Sequence, residues 1–297
     1  SDVCSSDLLS RAIARDAYGT EGLVKVIAYL TMAYTLGPMV SPFIGGLLVD
    51  HVGWQGVFWI AAGAGVLIGW ASFSILPETH PPTARQAAHT QSYFRDYVEL
   101  FSHLRFAGFV FQSGFSSGCF YTMAAASAFL MKDYLGRSAS EFGAYFFLFP
   151  IGFFSGNFLS SRLSHRFGIE KMVLAGALVN FTAITLQSAA ILADYVTPLV
   201  LFIPGFLTTF GQGLALPNST TGAMRVVPRL GGTAAGIGVF CQTFVGALFA
   251  QLYSIVSDGT PLRLAQVNWP CSLLCLTMGM IPFALRDRGK AAAKPAA

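Results

Sequence analysis

Cys271 and Cys275 stand one helical turn apart in the run VNWPCSLLCLTMG, a spacing that would set two soft ligands on one helix face. No His and no second Cys pair accompanies them, and Cys4, Cys119 and Cys241 form no CxxC. The cysteines inside apolar runs read as small buried hydrophobes. Neither a metal nor a cofactor is expected. The other residues able to do chemistry are neutral. Gln112, Ser113, Ser116, Ser117 and Tyr121 fall in one apolar run, and Asn157, Asn180, Gln187, Gln212, Gln242 and Gln251 are spread over the next four. Neutral amides among Phe and Tyr suit a cavity for uncharged amphipathic molecules. The same groups can also tie helices together inside a membrane. A few of the set are expected to face a cavity.

The elements that must carry these side chains follow from composition. Hydrophobic residues make up 54% of the 297, and charged residues only 11%. An ordinary soluble domain carries about 25% charged residues, so lipid must be the solvent for most of this chain. Nucleic-acid binding has no support. Apolar runs of about twenty residues mark spanning helices, and eight occur, at residues 26–49, 56–76, 106–131, 142–161, 172–193, 196–217, 232–256 and 267–285. Helices satisfy their own backbone in lipid, whereas the strict alternation of a membrane barrel is absent.

None of the eight runs contains Asp, Glu, Lys, Arg or His. Hydrolytic or transfer chemistry at membrane depth would need a Ser/His set, paired Asp, or His/Glu metal ligands. A membrane-embedded enzyme is therefore disfavoured, while a receptor or scaffold stays open. Fifteen Lys and Arg fall on one side of the alternating connections against three on the other. The positive-inside rule then places both ends in the cytoplasm. The connection 77–105 is polar and proline-rich first. Then Tyr93, Tyr97, Leu100, Phe101 and Leu104 share one helical face, either as an interfacial amphipathic helix or as the start of the next span.

In AYTLGPMVSPFIGG, Ala33, Gly37, Ser41 and Gly45 recur every four residues, and Pro38 and Pro42 remove backbone donors. Ala61, Gly65 and Gly69 make a second small stripe, expected to pack with the first. Gly37, Pro38, Pro42, Gly45 and Gly46 resemble the kinked fifth-helix motif of drug–proton antiporters in the major facilitator superfamily. SRAIARD, GWQGVFWI and LPETHPP are similar to its bicyclomycin/chloramphenicol-resistance (Bcr/CflA) type. GNFLSSRLSHRFGIEK resembles the superfamily's short cytoplasmic loop, matched at Gly156, Arg162, Arg166, Gly168 and Lys171, with Ser161 where an Asp is usual. PETHPP also resembles a sugar-porter element, but no sugar-porter arginine signature follows.

The resemblance implies an all-α polytopic fold, with the eight spans as helices five to twelve of twelve. It implies efflux of small drug-like molecules by proton antiport in the lipid bilayer of a bacterial inner membrane, by a monomer when full length. A metabolite or sugar carrier of the same superfamily is the alternative. Residues 9–76 would end helix four and form helices five and six. Residues 77–105 would be the central loop, 106–285 the C-terminal six-helix half, and 286–297 a tail. The proton site would lie on earlier helices. Residues 1–8 back-translate to a sequencing-adapter end and are expected to be read-through, not protein. Gln112, Ser116, Tyr121, Asn157, Asn180, Gln212 and Gln242 are the expected cavity residues.

Overall fold

The computed structural model describes residues 41, 44–74 and 93–286, and every regular element among them is helical. The expectations on residues 1–8, on Gly37, Pro38 and Pro42, and on the tail lie outside the described residues. The described residues fall in two units, divided after Ser92.

The first unit contributes α1, Ile44–Ser74. The sequence predicts a break between residues 49 and 56, yet the helical run continues through it. Gly53 within that run has φ +79°, a left-handed value that glycine holds without a Cβ penalty. The predicted interruption survives as this one residue. A Cβ on Gly45, Gly65 or Gly69 would meet nothing within 4 Å. The expected packing of the Ala61/Gly65/Gly69 stripe therefore has no counterpart among the described residues.

The second unit is a helical bundle. It comprises α2 Tyr93–Ser102, α3 Leu104–Phe129, α4 Ala139–Phe146, α5 Leu148–Phe167, α6 Ile169–Leu192, α7 Pro198–Val226, α8 Gly231–Val256 and α9 Pro261–Ala284. A π-turn, Leu130–Tyr134, extends α3, and a 3-10 turn, Pro228–Leu230, leads into α8. Local chemistry places the boundaries. Ser138 Oγ accepts from Glu141 N and starts α4, and Thr197 Oγ1 accepts from Val200 N ahead of Pro198. Gly168, at φ +86°, makes the tight turn between α5 and α6.

Among the described residues, six helical stretches are long and apolar enough to cross a membrane: α1, α4 with α5 as one stretch, α6, α7, α8 and α9. Helix α3, the third predicted span, is outside that set because its middle is polar. It can be polar because it is central. It packs against α7, α8 and α9, while α7 packs against α3, α5 and α6. The second and third helices of each three-helix segment thus lie on the first helix of the other segment. That is the interleaving of an internal repeat.

Backbones meet where glycines allow it. A Cβ on Gly152 or Gly156 of α5 would strike the carbonyl oxygens of Phe206 and Phe210 on α7, and one on Gly176 of α6 would strike that of Gly211. Close backbone approach takes the place of a hydrophobic drive that lipid cannot supply. Two apolar clusters cap the bundle. Leu100, Phe106, Phe109, Val110 and Ala223 form one, and Met123, Leu130, Phe149, Phe202 and Tyr253 belong to the other. Helix α3 runs from the first to the second and carries its polar residues in between.

Candidate functional site

The polar stretch of α3 faces α7. Ser219 Oγ donates to Gln112 Oε1 at 2.6 Å, and Gln212 Nε2 donates to Ser117 Oγ at 3.2 Å. The residue numbers run in opposite senses, so α3 and α7 are antiparallel across this seam. Gln112 Nε2 reaches Cys275 Sγ on α9 at 3.6 Å, and Cys275 Sγ donates back to the Gln112 carbonyl at 3.6 Å. Gln112 is 0% exposed. The wholly apolar alternatives on α7 would leave its amide without partners, a cost of about 1–3 kcal/mol. The seam continues to α5, where Asn218 Nδ2 donates to Ser160 Oγ at 2.7 Å and Ser160 Oγ donates to the Leu214 carbonyl at 3.2 Å.

The predicted site residues separate into three groups. Gln112, Ser116 and Gln212 lie in the seam, and Gln187 ties α6 to the Val200 and Leu201 carbonyls of α7 at 3.3 Å each. Asn180 is fully buried on α6, and neither atom of its amide has a partner among the described residues. Tyr121, Asn157 and Gln242 keep part of their surface open. The Tyr121 ring lies over Gly246 of α8, and Asn157 Nδ2 turns back to the Phe153 carbonyl at 3.1 Å. Ser113 bonds to the Val110 carbonyl within its own helix at 2.8 Å.

Sequence reasoning missed Ser160, Asn218, Ser219 and Asn268. The first three belong to the seam, and Asn268 is buried on α9 with an unpartnered amide. Asn218 and Ser219 follow Pro217, which the sequence reading took for the end of a span. The structure carries α7 on to Val226. Pro217 lacks an N–H, so the helix gives up one backbone bond there but continues.

At one end of the bundle lie the residues of the predicted loop motif. Arg162, Arg166 and Lys171 are exposed around the Gly168 turn. Arg162 sits over the Phe158 ring at 5.1 Å and Arg166 over Phe167 at 5.7 Å. Gly156 does different work, since it is buried against α7 about three turns before the turn. Two ion pairs gather the connections at this end. Arg105 at the start of α3 pairs with Glu170 at the start of α6, and Arg229 before α8 pairs with Glu99 of α2. The far end carries Arg137 with Glu141 at 3.4 Å and Arg263 with Asp258 at 2.9 Å. Thr260 and Arg263 hold the Asp258 carboxyl down at about 2, with the Thr260 hydroxyl bond the larger cause. Among the described residues, no three His, Cys, Asp or Glu gather as metal ligands.

Known proteins resemble this chain. The chain is 26% identical over 254 residues to a bicyclomycin resistance protein homolog of Haemophilus influenzae, covering 85% of this chain and 63% of that protein. It is 27% identical over 252 residues to multidrug resistance protein D of Escherichia coli, covering 84% of this chain and 62% of that protein. It thus spans less than two thirds of either relative. A crystal structure of a bacterial homolog to the human lysosomal transporter Spinster, inward-facing and unoccupied, superposes with a TM-score of 0.60. The overlap covers 96% of this chain and 75% of that one, at 16% identity, a likeness of fold. Residues 4–250 match the Major Facilitator Superfamily. With most of its length matched and its helices interleaved as a repeat, this multi-pass chain belongs to the Major Facilitator Superfamily.

Proposed function

We propose that this chain serves a drug-efflux carrier, in which residues 106–285 form one six-helix wall of the substrate cavity. The observation that carries the reading is the seam between α3 and α7. It is built of amides and hydroxyls, Gln112 with Ser219 and Gln212 with Ser117, and contains no charge. The seam itself is buried helix-to-helix bonding, and the neutral residues left partly open around it, among many Phe rings, suit small amphipathic molecules held by a few directional bonds and much apolar contact. The names of the bicyclomycin and multidrug resistance relatives support drugs as the substrate class. Tyr121, Asn157 and Gln242, the partly open members of the set, are the proposed contacts from this wall. Gly37, Pro38 and Pro42 are assigned to the kinked helix that packs between halves, as the antiporter motif implies.

Export against a proton gradient needs a titratable group at membrane depth. The predicted spans hold none, so the proton site is assigned to a part of the protein other than residues 106–285. The Lys/Arg imbalance supports an orientation in the bacterial inner membrane with the Gly168 turn in the cytoplasm. The carrier works as a monomer.

The test is drug accumulation and minimum inhibitory concentration in an efflux-deficient bacterial host that expresses the gene from its native locus. Lower accumulation that an uncoupler abolishes is expected. Sugar or metabolite uptake without any drug phenotype would replace this reading with a different carrier of the superfamily.

A further inference from the structure

Toward the far end of the bundle, α3, α6 and α9 each bring one neutral polar side chain to a common level. Thr122, Ser188 and Asn268 are buried, at 0%, 7% and 0% exposure. Thr122 Oγ1, Ser188 Oγ and both amide atoms of Asn268 have no hydrogen-bond partner among the described residues. Buried polar groups are almost always paired. We propose that these groups together bind one ordered water, which ties the three helices to each other.

Contacts on either side fix the level. Cys271 Sγ of α9 donates to the Phe115 carbonyl of α3 at 3.3 Å and would lie 2.9 Å from a Cβ on Gly118. Cys275, one turn later in α9, is bonded by Gln112, which comes earlier in α3. The two helices are thus antiparallel, and the next turn sets Thr122 opposite Asn268. Ile184 of α6 packs with Cys119 and Cys271 in a small apolar cluster. Ala126, Ile191 and Leu264, on the same three helices, belong to the apolar cluster with Phe149 and Phe202. Each of Thr122, Ser188 and Asn268 stands three or four residues from one of these members of each cluster. The three polar residues therefore form one layer between two apolar ones.

The chemistry of the layer selects its guest. A hydroxyl inside a helix often closes onto its own backbone. Ser127 does so with the Met123 carbonyl at 2.7 Å, and Thr209 with the Gly205 carbonyl at 3.0 Å. Thr122 and Ser188 make no such bond, so each keeps a donor and an acceptor. Asn268 adds an N–H donor group and a carbonyl acceptor. A buried water makes about three hydrogen bonds, and this set supplies them. Asn268 Nδ2 donates to the water oxygen, and the water donates to Thr122 Oγ1 and Ser188 Oγ. A cation would meet the Asn268 N–H groups, and an anion the Asn268 carbonyl. Water suits both ends of the amide. Cys119 and Ala126 beside the layer are small, so the guest is a single water rather than a larger polar molecule. Asn180 is the contrast. A Cβ on Gly211 would lie 3.2 Å from its backbone N, so it faces a glycine of α7 instead of a polar side chain.

X-ray radiolytic labelling of the 297-residue chain in phosphatidylglycerol nanodiscs, mixed into heavy-oxygen water before the pulse, tests the site. The pulse splits water into hydroxyl radicals, which oxidise side chains within reach. Cys119 and Cys271 are 0% exposed, beyond the reach of bulk water. A water bound beside them should oxidise both, with a heavy-oxygen share that rises slowly with mixing time. In Asn268→Leu the labelling should drop to background, and Thr122→Val should do the same where the first variant does not fold. Asn268→Leu should also melt about 2–4 °C lower, whereas a solitary buried amide gains stability from that change. With Thr122→Val and Ser188→Ala added, the loss should be less than the sum of the three single losses, because one shared water is lost once. Direct bonds among the three side chains would give the same shortfall without labelling, and would overturn the proposal. So would additive losses, or undiminished labelling in a folded Asn268→Leu or Thr122→Val variant.

Discussion

Ser219 of α7 donates its hydroxyl to the Gln112 side chain of α3 across 2.6 Å, with both residues buried. The bond joins the two helices at the centre of the bundle. It lies between two apolar clusters, where water cannot replace a lost partner.

Ser219→Ala should therefore cost stability. A net bond inside a membrane bundle contributes about 0.6 kcal/mol, and a stranded buried acceptor costs about 1–3 kcal/mol. The stranded Gln112 oxygen makes the larger figure the expected one. Gln112→Leu with Ser219→Ala should recover part of the loss. A double-mutant cycle on thermal unfolding in detergent checks both, and strict additivity would show that the bond carries no coupling.

Asn180 points the other way. Its buried amide has no partner among the described residues, so its polarity is a cost rather than a support. Asn180→Leu is expected to raise the melting temperature by a few degrees. A lower one would mean that the amide is satisfied in the assembled protein.

Two glycine substitutions should differ sharply. Gly156→Ala drives a Cβ into the Phe210 carbonyl, a backbone atom that cannot yield, and should cost about 1–3 kcal/mol. Gly232→Ala on α8 meets nothing within 4 Å and should be neutral or slightly stabilising through helix propensity. Melting temperatures of the two variants, measured side by side, decide it.

The Asp258 carboxyl, held at about 2 by Thr260 and Arg263, sets one acid dependence. Its pKa lies below the unfolded value of about 3.9. The contribution to stability is thus present above about pH 4 and lost as pH falls toward 2. Carboxyl-carbon NMR should place the Asp258 midpoint near 2, rising in Thr260→Ala. An unchanged midpoint in that variant would remove the Thr260 hydroxyl as the cause.

Fold class and most spans were legible because burial in lipid writes long uncharged runs into a sequence. The run around Gln112 shows the limit of that reading. It has no stretch apolar enough to count as a span, yet it lies at the centre of the bundle, where helices shield it as lipid shields the others. Hydropathy cannot tell these two shields apart. The ends of α7 and the seam were harder. Pro217 looks like a terminator, and only packing on α5 and α6 carries the helix on to place Ser219 against Gln112. Gly156 matched a loop motif by spacing, yet its neighbours are on α7, more than fifty residues away. Contacts of that range leave no local pattern.

The interleaved segments also impose a timetable on biosynthesis. Helix α3 is complete at Phe129, but its neighbour α8 does not begin until Gly231, about a hundred residues later. At a synthesis rate of about 5–20 residues per second, the gap is about 5–20 seconds. For that interval α3, with Gln112 and its run of serines, waits without α8 or α9 beside it. An insertion machinery that shelters one helix while the ribosome completes the rest is thus as much a requirement of this fold as any side chain in it.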